Sequence, residues 1–178
     1  MRIASIIPNS IVDGPGIRLV VFAQGCSHHC PGCHNPDTHD PEGGYEEQID
    51  NIVDMLNSDP LLSGITLSGG DPFEQTVECA KLAMKVRGIG KSVWTYTGYT
   101  YEQIMEHAKT DYTWQLLFEF SNVIVDGPFI QDLRSLELQF RGSSNQRIID
   151  VKKTVEKGEI VLWTPNEELL DKFSVPES

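Results

Sequence analysis

The sequence predicts an α/β fold, a parallel sheet covered by helices and open rather than closed into a barrel. Three observations predict it. Apolar, β-branched runs alternate with segments of helical periodicity, and those runs are apolar throughout, as strands buried on both faces are. The chain has 178 residues, fewer than the ~250 that a closed eight-stranded barrel typically needs. The stretches richest in Gly, Pro, Asp and Cys each follow an apolar run, where open α/β sheets and barrels bind their ligands. An incomplete, laterally open (β/α) barrel or a twisted open sheet meets all three. It is expected to form one domain over residues 1–178, with a C-terminal extension from about residue 151.

In chain order, Ile17 to Ala23 (IRLVVFA) is the first apolar strand. A loop rich in Gly, Pro, Asp and His follows from Gly25 to Gly44, and loops of that length inside a domain are usually functional. YEEQIDNIVDMLNS places Ile49, Ile52, Val53 and Leu56 at helical spacing. Gly64 to Gly69 (GITLSG) is a second strand, running through GGDPF into a helix from about Glu74 to Arg87. KSVWTYTG is a third strand ending near Thr97. Thr100 and Gln103 have capping-box spacing for the helix YEQIMEHA. LLFEF fits helix and strand equally, Asn122 to Gly127 (NVIVDG) is a fourth strand, and QRIIDV and GEIVLW are candidate short strands.

Charge and leader patterning exclude several classes. The formal net charge is −12, and no basic stripe is available to replace counterions on a phosphate backbone, so no nucleic-acid partner is expected. No run approaches the ~20 apolar residues of a membrane span. MRIASIIPNS lacks the basic region and long apolar core of a signal peptide. A cytoplasmic protein without a membrane segment is the expectation.

Three of the four cysteines fall in GCSHHCPGCHN, at Cys26, Cys30 and Cys33. Such clustering suits a metal in a reducing compartment better than a disulfide framework. A structural zinc needs four ligands, the fourth drawn from His28, His29, His34 or His39. A cubane iron–sulfur cluster holds each of four irons with a thiolate, so three cysteines leave one iron open to substrate. The spacing alone leaves both readings open. Cys79 lies within the Glu74 to Arg87 helix and reads as a structural or incidental thiol. GGDP, TGY and DGPF follow the second, third and fourth strands as the cysteine loop follows the first, so four unusual loops meet on one rim.

Cx3Cx2C combined with GGDP resembles the radical S-adenosylmethionine superfamily. VDGPGIR (Val12 to Arg18) resembles the leader of glycyl-radical-enzyme activases. CSHHCPGCHN, LSGGDPF, WTYTGY, VDGPFIQDL and RGSSNQ together resemble one family, the activators of the anaerobic (class III) ribonucleoside-triphosphate reductase, over about Val12 to Gln146. The resemblance implies an oxidoreductase with an incomplete barrel of the radical SAM type. It implies one [4Fe-4S] cluster per chain on Cys26, Cys30 and Cys33, whose open iron chelates S-adenosylmethionine. Cleavage to a 5′-deoxyadenosyl radical would then draw a hydrogen atom from a glycine of the reductase. The implied partners are that reductase, as a hetero-oligomer with its dimer, and a one-electron donor such as flavodoxin.

The resemblance also assigns residues. Gly32, Cys33 and His34 would lie against the cofactor, with Gly32 standing where many superfamily members carry an aromatic residue. His34 is read equally as a solvated loop residue. Gly69, Gly70 and Asp71 match the segment that holds the methionine amino group: glycine lets backbone approach closely and a carboxylate pairs with an ammonium. Asp71 followed by Pro72 also reads as a helix cap. Thr97 and Asp126, at strand ends, are candidates for ribose or carboxylate contacts. Asp13 to Gly16 would shape the docking surface for the partner's glycine loop, and Ser143 to Asn145 would form a cofactor-side loop or a plain turn. Arg141 and Arg147 are read as solvated or as meeting a carboxylate, His28 and His29 as tuning or shielding the cluster, and Trp94 and Tyr96 as core or rim. Rival readings are an activase of a formate-lyase-type partner and a non-catalytic zinc or electron-transfer module.

Overall fold

A computed structural model describes residues 1–165. The strands are β1 (Arg2–Ser10), β2 (Ile17–Ala23), β3 (Tyr45–Glu46), β4 (Leu62–Gly69), β5 (Ser92–Tyr96), β6 (Val123–Asp126) and β7 (Arg147–Asp150). Among the described residues they form one seven-stranded sheet in the order β3-β1-β2-β4-β5-β6-β7. The four inner strands β2, β4, β5 and β6 are parallel neighbours, and they are the four apolar runs of the sequence. β1, β3 and β7 join antiparallel. The sheet has two ends, at β3 and β7, and does not close.

The helices are α1 (Ile49–Ser58), α2 (Thr76–Gly88), α3 (Tyr101–Ala108), α4 (Tyr112–Phe120) and α5 (Val151–Lys157). α3 opens with the full reciprocal capping box of Thr100 and Gln103. LLFEF lies in α4: Asp111 caps it by accepting from Thr113 N, and Trp114, Leu117 and Phe118 bury one helical face. No helix among the described residues is long and apolar enough to cross a membrane.

One strand is added to the expected elements and two expectations are corrected. MRIASIIPNS forms β1, a strand the sequence does not announce, because only Ile3 and Ser10 are buried along it and bulges interrupt its register on β2. Tyr45 and Glu46 pair with β1 as an edge strand, so the helix after the cysteine loop starts only at Ile49. GEIVLW contributes a single bridge, Ile149 to Leu162, instead of a strand. Of the C-terminal extension, α5 and the chain to residue 165 are described, with Trp163 packing edge-on to Trp94. Residues 166–178 of the extension lie outside the described residues.

Register separates the two faces of the sheet. Leu19, Ile65 and Val93 form one row, and Val21, Leu67, Thr95 and Ile124 the next row on the same face. These rows pack on Ile52, Leu56, Leu82, Val86, Ile104 and Leu117 from the helices. Each such fully buried Leu or Ile contributes roughly 1.5–3 kcal/mol, which holds the helices on this face. The opposite face carries Val20, Thr66, Trp94 and Val123, then Phe22, Ser68, Tyr96 and Val125. Trp94, Val123 and Val125 there are covered by Phe140, Ile148 and Trp163. The rest of this face bounds a cavity. The strands are apolar on both faces, as the sequence indicates, yet helices cover only one.

Candidate functional site

Parallel strands bring Ala23, Gly69, Tyr96 and Asp126 to one edge of the sheet. The cysteine loop leaves that edge after Ala23 and folds back over it. Buried Gln24 shapes the loop by donating from Nε2 to the carbonyls of Asp37 (3.1 Å) and Asp40 (2.7 Å). Gly25 N bonds Thr38 O and Cys26 N bonds His39 O. Gly70 N donates to Ala23 O (2.7 Å) and Asp71 N to Gly25 O (2.8 Å), tying the loop to the GGD segment. A tight turn bonds Cys33 N to Cys30 O, and Asn35 N donates to Cys33 Sγ at 3.4 Å.

Cys26, Cys30 and Cys33 are reduced and partly exposed. All three border a cavity of about 470 Å³, together with His34, Gly69, Gly70, Asp71 and Thr97. Phe22, Ser68 and Tyr96 from the open sheet face, and Phe129, Leu138 and Phe140 from the chain after β6, also line it. Sequence reasoning missed most of these six. The parity of Phe22, Ser68 and Tyr96, each on the row nearest the rim, was the available signal. Cys26, His29 and His39 also border a second cavity of about 810 Å³ on the other side of the loop.

Asp71 borders the cavity and is the hub of the site's hydrogen bonds. Its carboxylate is 1 % exposed and accepts from Phe73 N, Thr97 Oγ1 and Gly98 N, each at 2.9 Å. His28 Nε2 donates the fourth bond at 2.7 Å. A desolvated carboxylate requires such partners, and these occupy it fully, so no free oxygen remains for an ammonium. The helix-cap reading holds through Phe73 N. The hydrogen bond to Asp71 raises the pKa of His28. Gly98 is needed where the ring lies, because a Cβ there would sit 2.6 Å from His28 Cδ2.

Asp126 is likewise buried. It is 1 % exposed and accepts from Arg147 Nε (3.0 Å), Arg147 Nη2 (2.5 Å) and Tyr101 N (2.7 Å). Its neighbour Gly127, and not Asp126, borders the cavity. Arg147 also reaches Glu102 at 2.8 Å, so the reading that meets a carboxylate is the one realised. Gly32 is not among the residues that line the cavity, and a Cβ there would lie 3.0 Å from Gln131 Cδ. His34 sits 4.9 Å from the Phe129 ring, centroid to centroid.

RGSSNQ forms a staple, and its Arg141, Gly142 and Gln146 border the cavity. Gln146 Oε1 accepts from Gly142 N and Ser143 N, and its Nε2 donates to Gly127 O. Asn145 Nδ2 donates to Pro128 O, and Ser143 Oγ accepts from Ile130 N. The motif thus fixes residues 127–130 and sets Phe129 against the cavity. Arg141 serves the same turn, donating to Gln146 O.

The three thiols of the cysteine loop are candidates to hold an iron–sulfur cluster, one thiolate to an iron. Among the described residues no three His, Cys, Asp or Glu side chains gather closely enough to hold a single ion. Of the nearby histidines, His28 bonds Asp71, and His29 and His39 meet Nδ1 to Nδ1 at 3.3 Å, which leaves the buried His39 Nε2 without a hydrogen-bond partner. A cubane places each thiolate on a separate iron, which suits thiols spread along one cavity wall. Burial pushes the Cys26 thiol up to about 11, with Asp71 and Glu74 adding to the rise. A bound cationic centre reverses that balance and deprotonates the thiol. Cys79 is buried in α2 and its pKa is raised by desolvation, an environment that suits a neutral core thiol.

Comparison with known proteins bears on the same stretch of chain. The model of the family described as 4Fe-4S single cluster domain matches residues 12–149. The chain is 37 % identical over 147 residues to the anaerobic ribonucleoside-triphosphate reductase-activating protein of Escherichia coli (strain K12), covering 78 % of this chain and 92 % of that protein. It is 36 % identical over 154 residues to the protein of the same name from Salmonella typhimurium, covering 82 % and 96 %. Enterobacteria phage T4 has another, 33 % identical over 154 residues, covering 83 % and 93 %.

Proposed function

The chain belongs to the family of anaerobic ribonucleoside-triphosphate reductase-activating proteins, and from that premise we propose that it installs a glycyl radical on that reductase as a radical S-adenosylmethionine enzyme. One observation carries this reading: three reduced thiols and a glycine-lined strand end share one cavity on the helix-free face of an open sheet. That arrangement is the one expected of an incomplete, laterally open barrel of the radical SAM type. When bound, the [4Fe-4S] cluster and S-adenosylmethionine supply, by one-electron reductive cleavage, the carbon radical that takes the hydrogen atom from the reductase's glycine.

The chain's own residues bind, orient and shield. Cys26, Cys30 and Cys33 hold the cluster, and Asn35 N donates to Cys33 Sγ, which orients that side chain. Gly69 and Gly70 border the cavity and would meet the methionine end of the cofactor through their backbone, while the missing Cβ of Gly70 lets that segment pack on the carbonyl of Gly25. Asp71 positions that segment through His28, Thr97 and Gly98 instead of touching the cofactor. His34 and Phe129 on one wall, and Tyr96 and Phe140 on another, present rings to the nucleoside. Tyr96 is kept protonated by burial and donates to Phe140 O at 2.8 Å. Radical chemistry needs a dry site, and the reductase, docked as a hetero-oligomer with its dimer, completes the walls. A one-electron donor of the flavodoxin kind has access to the loop from the second cavity, which Cys26 borders. The protein acts in the cytoplasm, where cysteines stay reduced.

The test is electron paramagnetic resonance. The protein is reconstituted anaerobically with iron and sulfide, then mixed with S-adenosylmethionine, reductant and the anaerobic reductase of the same source. A glycyl-radical doublet is expected. A reduced-cluster signal without the doublet overturns the partner, and the absence of any cluster signal overturns the cofactor.

A further inference from the structure

Arg18 is wholly buried at the start of β2. Its register neighbours are Gly64 on β4 and, beyond it, Ser92 on β5. Its guanidinium donates five hydrogen bonds: from Nε to Thr66 Oγ1 (2.8 Å), from Nη1 to Pro15 O (3.3 Å) and Ser92 Oγ (3.0 Å), and from Nη2 to Ile65 O (2.6 Å) and Ser92 O (3.2 Å). Every acceptor is neutral. Burying a cation without a counter-charge is costly, and desolvation lowers its pKa to about 10. A neutral side chain would fill the space at less cost. What the guanidinium alone provides is a planar fork that satisfies acceptors on three segments together.

One of those segments is the loop Val12 to Gly16. Thr66 Oγ1 accepts from Arg18, so its single hydrogen is free to point at Asp13 O, 2.7 Å away. Arg18 therefore grips the loop at two carbonyls, Pro15 directly and Asp13 through Thr66. Gly14 has φ +127°, and a Cβ there would lie 2.8 Å from Arg18 Cδ and 3.1 Å from Trp94 Cδ2, so the loop lies flat on the arginine stem. The other side of the loop meets the cavity. Val12 and Asp13 border it, and Ile11 and Val12 are 72 % and 71 % exposed.

We infer that Arg18 is a positioning residue for hydrogen-atom transfer from the reductase, holding Val12 and Asp13 as the fixed wall against which the partner's glycine segment seats. The inference rests on the activator reading above and deepens it. Arg18 sits at the opposite end of β2 from the cysteine loop and bonds neither that loop nor the GGD segment. Its loss should therefore leave cofactor cleavage intact and uncouple it from radical transfer.

The experiment compares Arg18→Lys and Thr66→Val with the wild-type protein, all carrying a reconstituted cluster. Lysine keeps the charge but not the fork, and valine cuts the link to Asp13 while preserving shape. Val86→Ala, in the helical core, controls for general destabilisation. Three quantities are read: the change in the reduced-cluster spectrum on adding S-adenosylmethionine, the rate of its cleavage without reductase, and glycyl radical formed per cofactor cleaved with reductase. In both test variants the first two should match wild type, and the third should fall about tenfold or more, the scale on which misplacement acts. Val86→Ala should keep the wild-type ratio. An unchanged ratio in both test variants, or a parallel loss of cleavage and ratio, overturns the inference alone. Wild-type protein that cleaves cofactor but yields no doublet overturns the activator reading, and the inference with it.

Discussion

His28 joins the cysteine loop to the rim of the sheet through one hydrogen bond, to the buried carboxylate of Asp71. The bond exists because Gly98 leaves room for the ring. Gly98→Ala should push His28 off Asp71 and leave a buried carboxylate short of a donor. A loss of about 1–3 kcal/mol is expected, together with weaker S-adenosylmethionine binding, checked by denaturant melting and by calorimetry on the cluster-loaded protein. The cysteines divide by environment. Alanine at Cys26, Cys30 or Cys33 should abolish bound iron and sulfide in the reconstituted protein. Cys79→Ala should retain both and cost only about 1–2 kcal/mol, as loss of a small buried group does. Loss of the cluster in Cys79→Ala would refute the assigned ligands.

At the scale of elements, Arg147 fastens β7 to β6 and to α3 by bridging Asp126 and Glu102. Arg147 holds the Glu102 carboxyl down to about 2, against an ordinary 4.5. A depressed carboxyl stabilises the fold above its unfolded pKa and loses that contribution as pH falls through its folded pKa. The relevant window therefore runs from 4.5 down to about 2. Glu102 is largely exposed, so screening keeps its share small, and the larger cost of removing Arg147 is the stranded Asp126. Arg147→Met should lose on the order of 3 kcal/mol at neutral pH. Its deficit against wild type should narrow as pH falls through the window, read from denaturant midpoints across pH. A deficit that is constant with pH would show that the Glu102 pair contributes nothing.

At the scale of the molecule, helices cover one face of the sheet and leave the rim half of the other to loops and a cavity. The sheet of the described residues does not close, and under the proposed function that opening admits a glycine carried on a second protein. Wet, half-walled sites suit radicals poorly. The reduced protein alone should therefore cleave S-adenosylmethionine more slowly than with its reductase, measured as 5′-deoxyadenosine released per cluster. Equal rates would mean that the partner does not complete the site.

Local pattern was enough for part of this. The four parallel strands, the capping box at Thr100 and the gathering of special loops at one rim are legible because each depends on apolar period or spacing within a few residues. The cysteine loop was legible for the same reason, its three thiols lying within eight positions of one another. The aim of individual polar side chains was not. Asp71 and Asp126 stand at the strand ends where the sequence puts them, yet both carboxylates are buried and hydrogen-bonded within the protein, and only Asp71 borders the cavity. Asp71 meets His28, 43 positions away, and Asp126 meets Arg147, 21 positions away. β1 stayed hidden because it takes its partners from β2 and β3 and not from a period of its own. Arg18 is one letter of a short motif in the sequence, and only folding sets it beside Ser92, 74 positions on. Spacing determined which residues reach the rim. Desolvation, which forces every buried charge to find its donors or acceptors among distant segments, decided which of them face the cavity.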